Sequence, residues 1–300
     1  MQSAQARLTA QDFDQELLIL FDAYVHGNID RRGFLDRAQK FAVGGLTAAG
    51  LLAALSPNFA FGQVIKPTDD RIKTETLEFA TNGHGKMKGY LCRPASAGSG
   101  KLPAVLVVHE NRGLNPHIED IARRLAVDGY MAFAPDALTP LGGYPGDEDK
   151  AREAFAKLDQ SKTRQDFKAA AILLKTRVDG TGKMGVVGFC YGGGMAHWLA
   201  TQMPDLAASV PFYGNHPPNE DAAKVKAPLQ IHFAGVDERI NAAWPSYEGA
   251  LKAAGAKYTA HQYAGAQHGF NNDTTPRFDA PAAKLAWGRT MEFFGQNLKA

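Results

Sequence analysis

The sequence predicts an α/β fold, with a mostly parallel central sheet of about eight strands and helices on both faces. Three observations carry that expectation. From Thr74 to the C-terminus, short apolar runs alternate with segments of helical spacing. Those runs are apolar enough to suit strands covered on both sides. Third, Lys183-Met184-Gly185-Val186-Val187-Gly188-Phe189 feeds through Gly188-Phe189-Cys190-Tyr191-Gly192 directly into a helical segment with Ala196, Trp198, Leu199 and Ala200. The order is strand, sharp turn, helix. Composition agrees: 300 residues, 45% hydrophobic and 21% charged, are enough for one large domain with a buried core. The net charge of +2 is not concentrated in a basic block, which excludes a nucleic-acid partner. Two cysteines, Cys92 and Cys190, are too few for a disulfide framework. Cys92 lies in an early strand-like run and Cys190 on the sharp turn, a poor arrangement for a bridge.

In chain order, residues 1–62 read as an N-terminal helical extension and residues 63–300 as the α/β domain. Phe13, Leu17, Leu18, Phe21, Tyr24 and Val25 recur at helical spacing. Arg31-Arg32-Gly33-Phe34-Leu35 follows, then the uncharged apolar run from Phe41 to Leu55, too short to span a membrane and suited to a signal h-region. Together they resemble a twin-arginine export signal, with Asp30 and Asp36 where that signal usually has Ser or Thr and Lys. Ala60-Phe61-Gly62 offers a small-x-small cleavage site, and on this reading the protein meets the export machinery and is periplasmic or exported. The other reading is an uncleaved extension that packs on a partner or on the enzyme itself, in a cytoplasmic protein.

Within the domain, Thr74 to Phe79 and Met87 to Arg93 read as an antiparallel pair around Asn82-Gly83-His84-Gly85. Leu102 to Val108, Met131 to Ala134, Lys183 to Phe189, Ser209 to Tyr213, Leu229 to Ala234 and Tyr258 to Tyr263 read as buried strands. Helices are expected over Ile118 to Val127, Asp149 to Leu158, Thr163 to Arg177, Tyr191 to Gln202, Ala242 to Ala254 and Ala282 to Leu298. The Pro/Gly-rich stretch Thr139 to Gly146 follows a strand and should form a loop beside the site.

In an open α/β sheet the ligand crevice lies at the carboxyl ends of the strands. The residues there are His109-Glu110-Asn111-Arg112, Asp136, Cys190, Tyr213-Gly214-Asn215-His216, Asp237-Glu238-Arg239 and Gln267-His268-Gly269-Phe270. Glycines around a cysteine could also be a phosphate-cradling loop or a tight turn about an inert thiol. An acid and a histidine at later strand ends decide against that. Cys190, Asp237 and His268 stand in the order nucleophile, acid, base that α/β-hydrolases use. The histidines His117, His197, His216 and His232 show no metal-ligand spacing, so neither metal nor cofactor is expected.

Residues from about Thr74 onward resemble the dienelactone hydrolase (carboxymethylenebutenolidase) family of the α/β-hydrolase fold. The resemblance rests on Gly188-Phe189-Cys190-Tyr191-Gly192-Gly193, the Asp237 loop, Gln267-His268-Gly269-Phe270 and Val108-His109-Glu110-Asn111-Arg112-Gly113. It implies hydrolysis of ester or lactone bonds through a Cys190-His268-Asp237 triad. It also implies that Glu110 interacts with the cysteine and is displaced by substrate, and that the backbone N–H groups of Tyr191 and Asn111 form the oxyanion hole. The family members that open dienelactone hold its carboxylate with two arginines, in the loop after the fourth strand and just after the histidine. Neither Asp136 to Tyr144 nor Gly269 to Asn272 carries one. Arg112 and Arg239 lie on other strand-end loops and could substitute, with Leu138, Tyr144, Tyr213 and Phe270 lining a partly apolar pocket. The substrate is therefore a small ester or lactone, and the protein a monomer or small homo-oligomer. A short-chain carboxylesterase or thioesterase that ignores dienelactone, and a thiol redox or binding protein on the same fold, are the alternatives.

Overall fold

The computed structural model describes residues 7–98 and 100–299. Its centre is one eight-stranded sheet in the order β1-β2-β4-β3-β5-β6-β7-β8. The strands are β1 (Ile72–Ala80), β2 (Lys86–Pro94), β3 (Leu102–Val108), β4 (Met131–Pro135), β5 (Gly180–Phe189), β6 (Ala208–Phe212), β7 (Leu229–Ala234) and β8 (Tyr258–Tyr263). β2 alone runs against the others, pairing antiparallel with β1 and β4, while β3 to β8 pair in parallel. All residues of β4, β6 and β7 are buried, which is why those runs read as continuously apolar.

Helices cover both faces. α5 (Pro116–Val127) and α11 (Ala280–Leu298) pack one side, around Val105, Val187, Phe212 and Phe294. α6 (Glu148–Phe155), α7 (Gln160–Thr176), α8 (Tyr191–Gln202) and α10 (Trp244–Ala253) pack the other, around Leu106, Val186, Leu199 and Leu251. The helix expected over Ala242 to Ala254 is present as α10, with a separate short helix before it. A short α9 (Glu238–Asn241) is capped by the Asp237 side chain, and Pro245 opens α10. Proline fits a first turn because its missing N–H would have no partner there.

The extension is folded and lies on the domain. α1 (Gln15–Val25) starts at the Asp14 cap and stops at Gly27, where φ is +78°. Asn28 N–H bonds Ala23 O at 2.9 Å and Gly27 N–H bonds Tyr24 O at 3.0 Å, so His26 is the last residue before a glycine stop. α2 (Arg31–Ala38) is capped by Asp30, and α3 (Ala48–Leu55) and α4 (Phe59–Gly62) follow. The run from Phe41 to Leu55 is not one helix: Gly44 and Gly45 both take positive φ and break it. Leu17, Leu18, Phe21, Tyr24, Phe34, Ala38, Leu51, Leu52 and Leu55 form a small core of their own. Among the described residues no helix is long and apolar enough to cross a membrane.

This small core is joined to the domain by polar contacts. Arg31, of the arginine pair, bonds Asp149 at 2.7 Å, and the Tyr24 hydroxyl donates to the same carboxylate. Asn58 N–H bonds Thr274 O at 2.7 Å, and Arg124 bonds Gly62 O at 2.8 Å. The Asp120 carboxylate accepts from the N–H groups of Val64 and Ile65. Gly62, at the expected cleavage site, is buried so closely that a Cβ there would come within 2.5 Å of Thr274.

Candidate active site

β5 ends at Phe189, α8 begins at Tyr191, and Cys190 between them has φ 56° and ψ −112°. That conformation costs a non-glycine residue strain and points its side chain out over the sheet edge. The turn closes only because its flanks lack Cβ atoms. One on Gly188 would sit 1.9 Å from Gly192 O, and one on Gly192 would sit 2.2 Å from Val108 O. Cys190 is 8% exposed, at the N-terminus of α8, where the helix dipole favours a thiolate.

Asp237 and His268 come together from the loops after β7 and β8. Asp237 Oδ2 accepts from His268 Nδ1–H at 2.5 Å, while Oδ1 accepts from Ile240 N–H. That fixes the tautomer that leaves His268 Nε2 free, and Nε2 has no hydrogen-bond partner among the described residues. Tyr213, itself at φ 38°, backs the imidazole with ring centroids 5.0 Å apart. Burial would lower the His268 pKa, but the Cys190 thiolate and the Asp237 hydrogen bond raise it above the ordinary value.

Sequence reasoning missed a second histidine. His26, at the end of α1, places Nε2 3.4 Å from Cys190 Sγ, and its ring lies edge-on to that of His268 with centroids 4.8 Å apart. His26 Nδ1 faces Asp22 O at 2.8 Å and Asp22 Oδ2 at 3.2 Å. The signal that could have found it is the helix stop: a capped, amphipathic helix closed by His26-Gly27 reads as a folded element rather than a leader. Burial would raise the Cys190 pKa, but the charges of His268 and His26 bring it down to about 6. Burial would likewise lower that of His26, but the Cys190 thiolate and Asp22 push it up to about 10. His26, Cys190 and His268 offer side-chain N and S atoms within 4.8 Å of one another. The Arg239 guanidinium also lies 3.2 Å from His26 Nε2.

The remaining expected residues divide. Glu110 reaches the site region but makes no hydrogen bond to the cysteine: the Asn272 side-chain amide donates to its carboxylate at 3.0 Å, and the end of α1 fills the space beside it. Asn111 lies beside Cys190, its side-chain amide donating to Val25 O at 2.9 Å. Tyr191 is the first residue of α8, a position whose N–H has no intrahelical acceptor. Arg112 is 6% exposed and engaged with Val25 O and Asn111, so it is not free to clamp a substrate. Arg239 is exposed on the rim of the cavity that reaches Cys190. Tyr144 donates to Glu148 at 2.9 Å, and Leu138 is fully buried in the core; neither borders a cavity at the cysteine. Phe270 also turns away, because Phe212, Tyr213 and Tyr263 enclose its ring in the core. His109 is a fully buried strand-end residue whose Nε2 accepts from Ala137 N–H; its Nδ1–H therefore faces Glu110 O and steadies the Glu110-Asn111 loop.

Two open cavities meet at the cysteine, both bordered by Tyr191 and Asn215. One, of about 430 Å³, is walled by His26, Tyr213, Arg152 and Arg239; the other, of about 300 Å³, by Trp198, Met195, His216 and Arg164. A third, between Glu110, Arg112 and α1, is closed down to about 40 Å³.

Comparison with known proteins fits this geometry. Residues 87–298 match the dienelactone hydrolase family model. The chain belongs to that family. A protein of Escherichia coli strain K12 named as a candidate carboxymethylenebutenolidase is 32% identical over 263 residues, 83% of this chain and 95% of that one. Protein usf of Aquifex pyrophilus is 33% identical over 245 residues, 75% and 99% of the two chains. Among solved structures, a candidate dienelactone hydrolase from Klebsiella pneumoniae superposes with a TM-score of 0.65 at 28% identity, over 75% of this chain and 99% of that one. Residues 4–43 match a separate family model, YqhI-like. As a member of the dienelactone hydrolase family, the protein is a hydrolase of the carboxylic ester or lactone class.

Proposed function

We propose that hydrolysis runs through Cys190 as nucleophile, His268 as base and Asp237 as its orienting acid, with the backbone N–H groups of Tyr191 and Asn111 holding the oxyanion. The observation that carries this reading is the strained Cys190 at the head of α8, facing a His268 whose far nitrogen is fixed at 2.5 Å by Asp237. The thiolate attacks the carbonyl carbon, the oxygen takes the charge beside the two N–H groups, and collapse expels an alkoxide and leaves an acyl-cysteine. Water, deprotonated by His268, releases the acid. The two cavities at Cys190 give the acyl and alcohol portions separate places, and a lactone, whose halves stay joined, would bridge them. Arg239 and Arg152 on the larger cavity favour a substrate with an anionic group on that side, in place of the two arginines the dienelactone-opening members use.

Steady-state hydrolysis by the full chain against a panel of short neutral esters, acidic esters and dienelactone, with Cys190→Ala beside it, tests the reading. Loss of the nucleophile should remove about 10⁴-fold or more of the rate on every substrate. A C190A enzyme that still turns over esters at the native rate would dismiss the cysteine mechanism.

A further inference from the structure

We propose that the N-terminal extension is part of the catalytic machinery: His26, delivered by the end of α1, is the cationic partner of Cys190 and the acid that protonates the leaving alcohol. The proposal rests on Cys190 being the nucleophile.

Geometry carries it. His26 Nε2 stands 3.4 Å from the sulfur, on the wall of the open cavity, while His268 approaches from the opposite loop. The helix end and Asp22 favour the imidazolium form of the His26 ring. It sits at the C-terminal cap of α1, where the helix dipole is negative and a cation is stabilised. Its Nδ1 is presented to the Asp22 carbonyl and carboxylate, and Asp22 is held in turn by Arg277 at 3.2 Å. The charged groups facing the ring are therefore Asp22 and the thiolate on one side of the balance, and Arg239, His268 and, through Asp22, Arg277 on the other. Arg239 can only donate, so its 3.2 Å contact with His26 Nε2 belongs to the neutral ring. When the ring is protonated, the exposed guanidinium keeps its other contact, Asn215 Oδ1 at 3.4 Å.

The position of the ring is not an accident of loose packing. The last carbonyls of α1 are claimed by the domain: Val25 O by Asn111 and Arg112, and Tyr24 O by Arg152 at 3.3 Å. The negative end of the helix thus docks onto a cationic rim of the active site, and the Arg152 guanidinium also lies over the Tyr24 ring at 4.3 Å. Asn111, expected to supply an oxyanion donor, is steadied by the same contact.

The proton inventory closes. In the reactive form the sulfur is a thiolate, His26 carries a proton and His268 is neutral. Attack by sulfur forms the C–S bond, and collapse breaks the C–O bond as His26 Nε2–H gives its proton to the departing oxygen, leaving an acyl-cysteine and two neutral imidazoles. His268 takes a proton from water as the hydroxide adds to the thioester. Expulsion of the thiolate yields the carboxylic acid, and the proton on His268 returns to His26 by way of the sulfur between them.

Full-length His26→Ala and His26→Gln, with Cys190→Ala as control, separate the roles. A p-nitrophenyl ester expels an anion stable without a proton; an alkyl ester does not. We expect the His26 variants to lose about 10²–10³-fold on the alkyl ester and about tenfold or less on the p-nitrophenyl ester, in the range of a general acid. The pH midpoint for alkylation of Cys190 by iodoacetamide should move up by about a unit or more, which a merely structural role would not produce. Equal losses on both esters with an unchanged alkylation midpoint, or a faster enzyme, would overturn the proposal. Unchanged hydrolysis in Cys190→Ala would instead overturn the nucleophile on which it rests.

Discussion

The two halves of this active site are held by opposite means. On the sheet side, Cys190, Asp237 and His268 sit on loops anchored by strands buried on both faces, in the two large cores of the domain. On the helix side, His26 stands on a nine-residue buried cluster that touches the domain mainly through arginines, carboxylates and backbone carbonyls. A chemical group can therefore be fixed by packing beneath it or by charge around it. The second kind of support can be removed without disturbing the first.

The largest expected effect lies on the sheet side. Asp237→Asn replaces the acceptor of His268 Nδ1–H with an amide that favours the wrong tautomer, and kcat should fall by about 10²–10⁴ with the fold intact. The pH dependence sharpens the point. With Cys190 as the nucleophile the active sulfur is the deprotonated one, so activity should rise as pH increases through about 6, where, against the effect of burial, His268 and His26 hold the Cys190 thiol. It should fall again toward about 10 as His26 loses its proton. D237N should lower the plateau and, by weakening the support of the His268 charge that draws the Cys190 pKa down, move the acidic midpoint upward. A D237N enzyme as fast as the native one, in a pH-rate profile of kcat/KM, would mean that His268 is not oriented through its Nδ1.

Next in size is the core of the extension. Phe34 is fully buried, with its ring centroid 5.4 Å from Tyr24 and 6.1 Å from Phe21. Phe34→Ala should cost the small cluster about 3–5 kcal/mol. Because the cores are separate, that loss should appear as local opening rather than as a lower melting point for the sheet. Limited trypsin digestion should cut sooner at Arg31, Arg32 and Arg37, and the kinetics should drift toward those of His26→Ala. Unchanged protease resistance together with one cooperative, lowered melting transition would show that the extension and the sheet unfold as a single unit.

The same contrast governs what the sequence discloses. Strand bounds such as Leu102–Val108 and Leu229–Ala234 are legible because period and apolarity are local properties. The elbow is legible because so tight a turn requires glycine at 188 and 192, where a Cβ would strike backbone. His26 is illegible because nothing local ties residue 26 to residue 190; the link is made by Arg112, Arg152 and Arg277, each an ordinary loop or helix arginine in sequence. The Arg31-Arg32 pair and the apolar run after it supported an export reading, whereas in the fold Arg31 pairs with Asp149, and Leu51, Leu52 and Leu55 complete the small core. Aromatic residues near a site are ambiguous for the same reason. Tyr213 borders the cavity and Phe270, two residues after His268, is core, and only the packing of three neighbouring rings tells them apart.

The smallest effect concerns selectivity. Arg239 is exposed and meets solvent on the cavity rim, so any pairing with an acidic substrate is worth only ~0.2–1 kcal/mol. Arg239→Ala should therefore lower kcat/KM for acidic esters by a few-fold relative to neutral esters of the same leaving group. The ratio is the useful quantity, because Arg239 also touches His26, and loss of that contact changes both rates together. Arg112→Ala should behave differently: its guanidinium holds Val25 O and Asn111, so both ester classes should slow in parallel while their ratio stays fixed. If instead Arg112→Ala shifts the ratio and Arg239→Ala does not, the anionic end of the substrate lies in the closed space under α1, and the extension must lift to admit it.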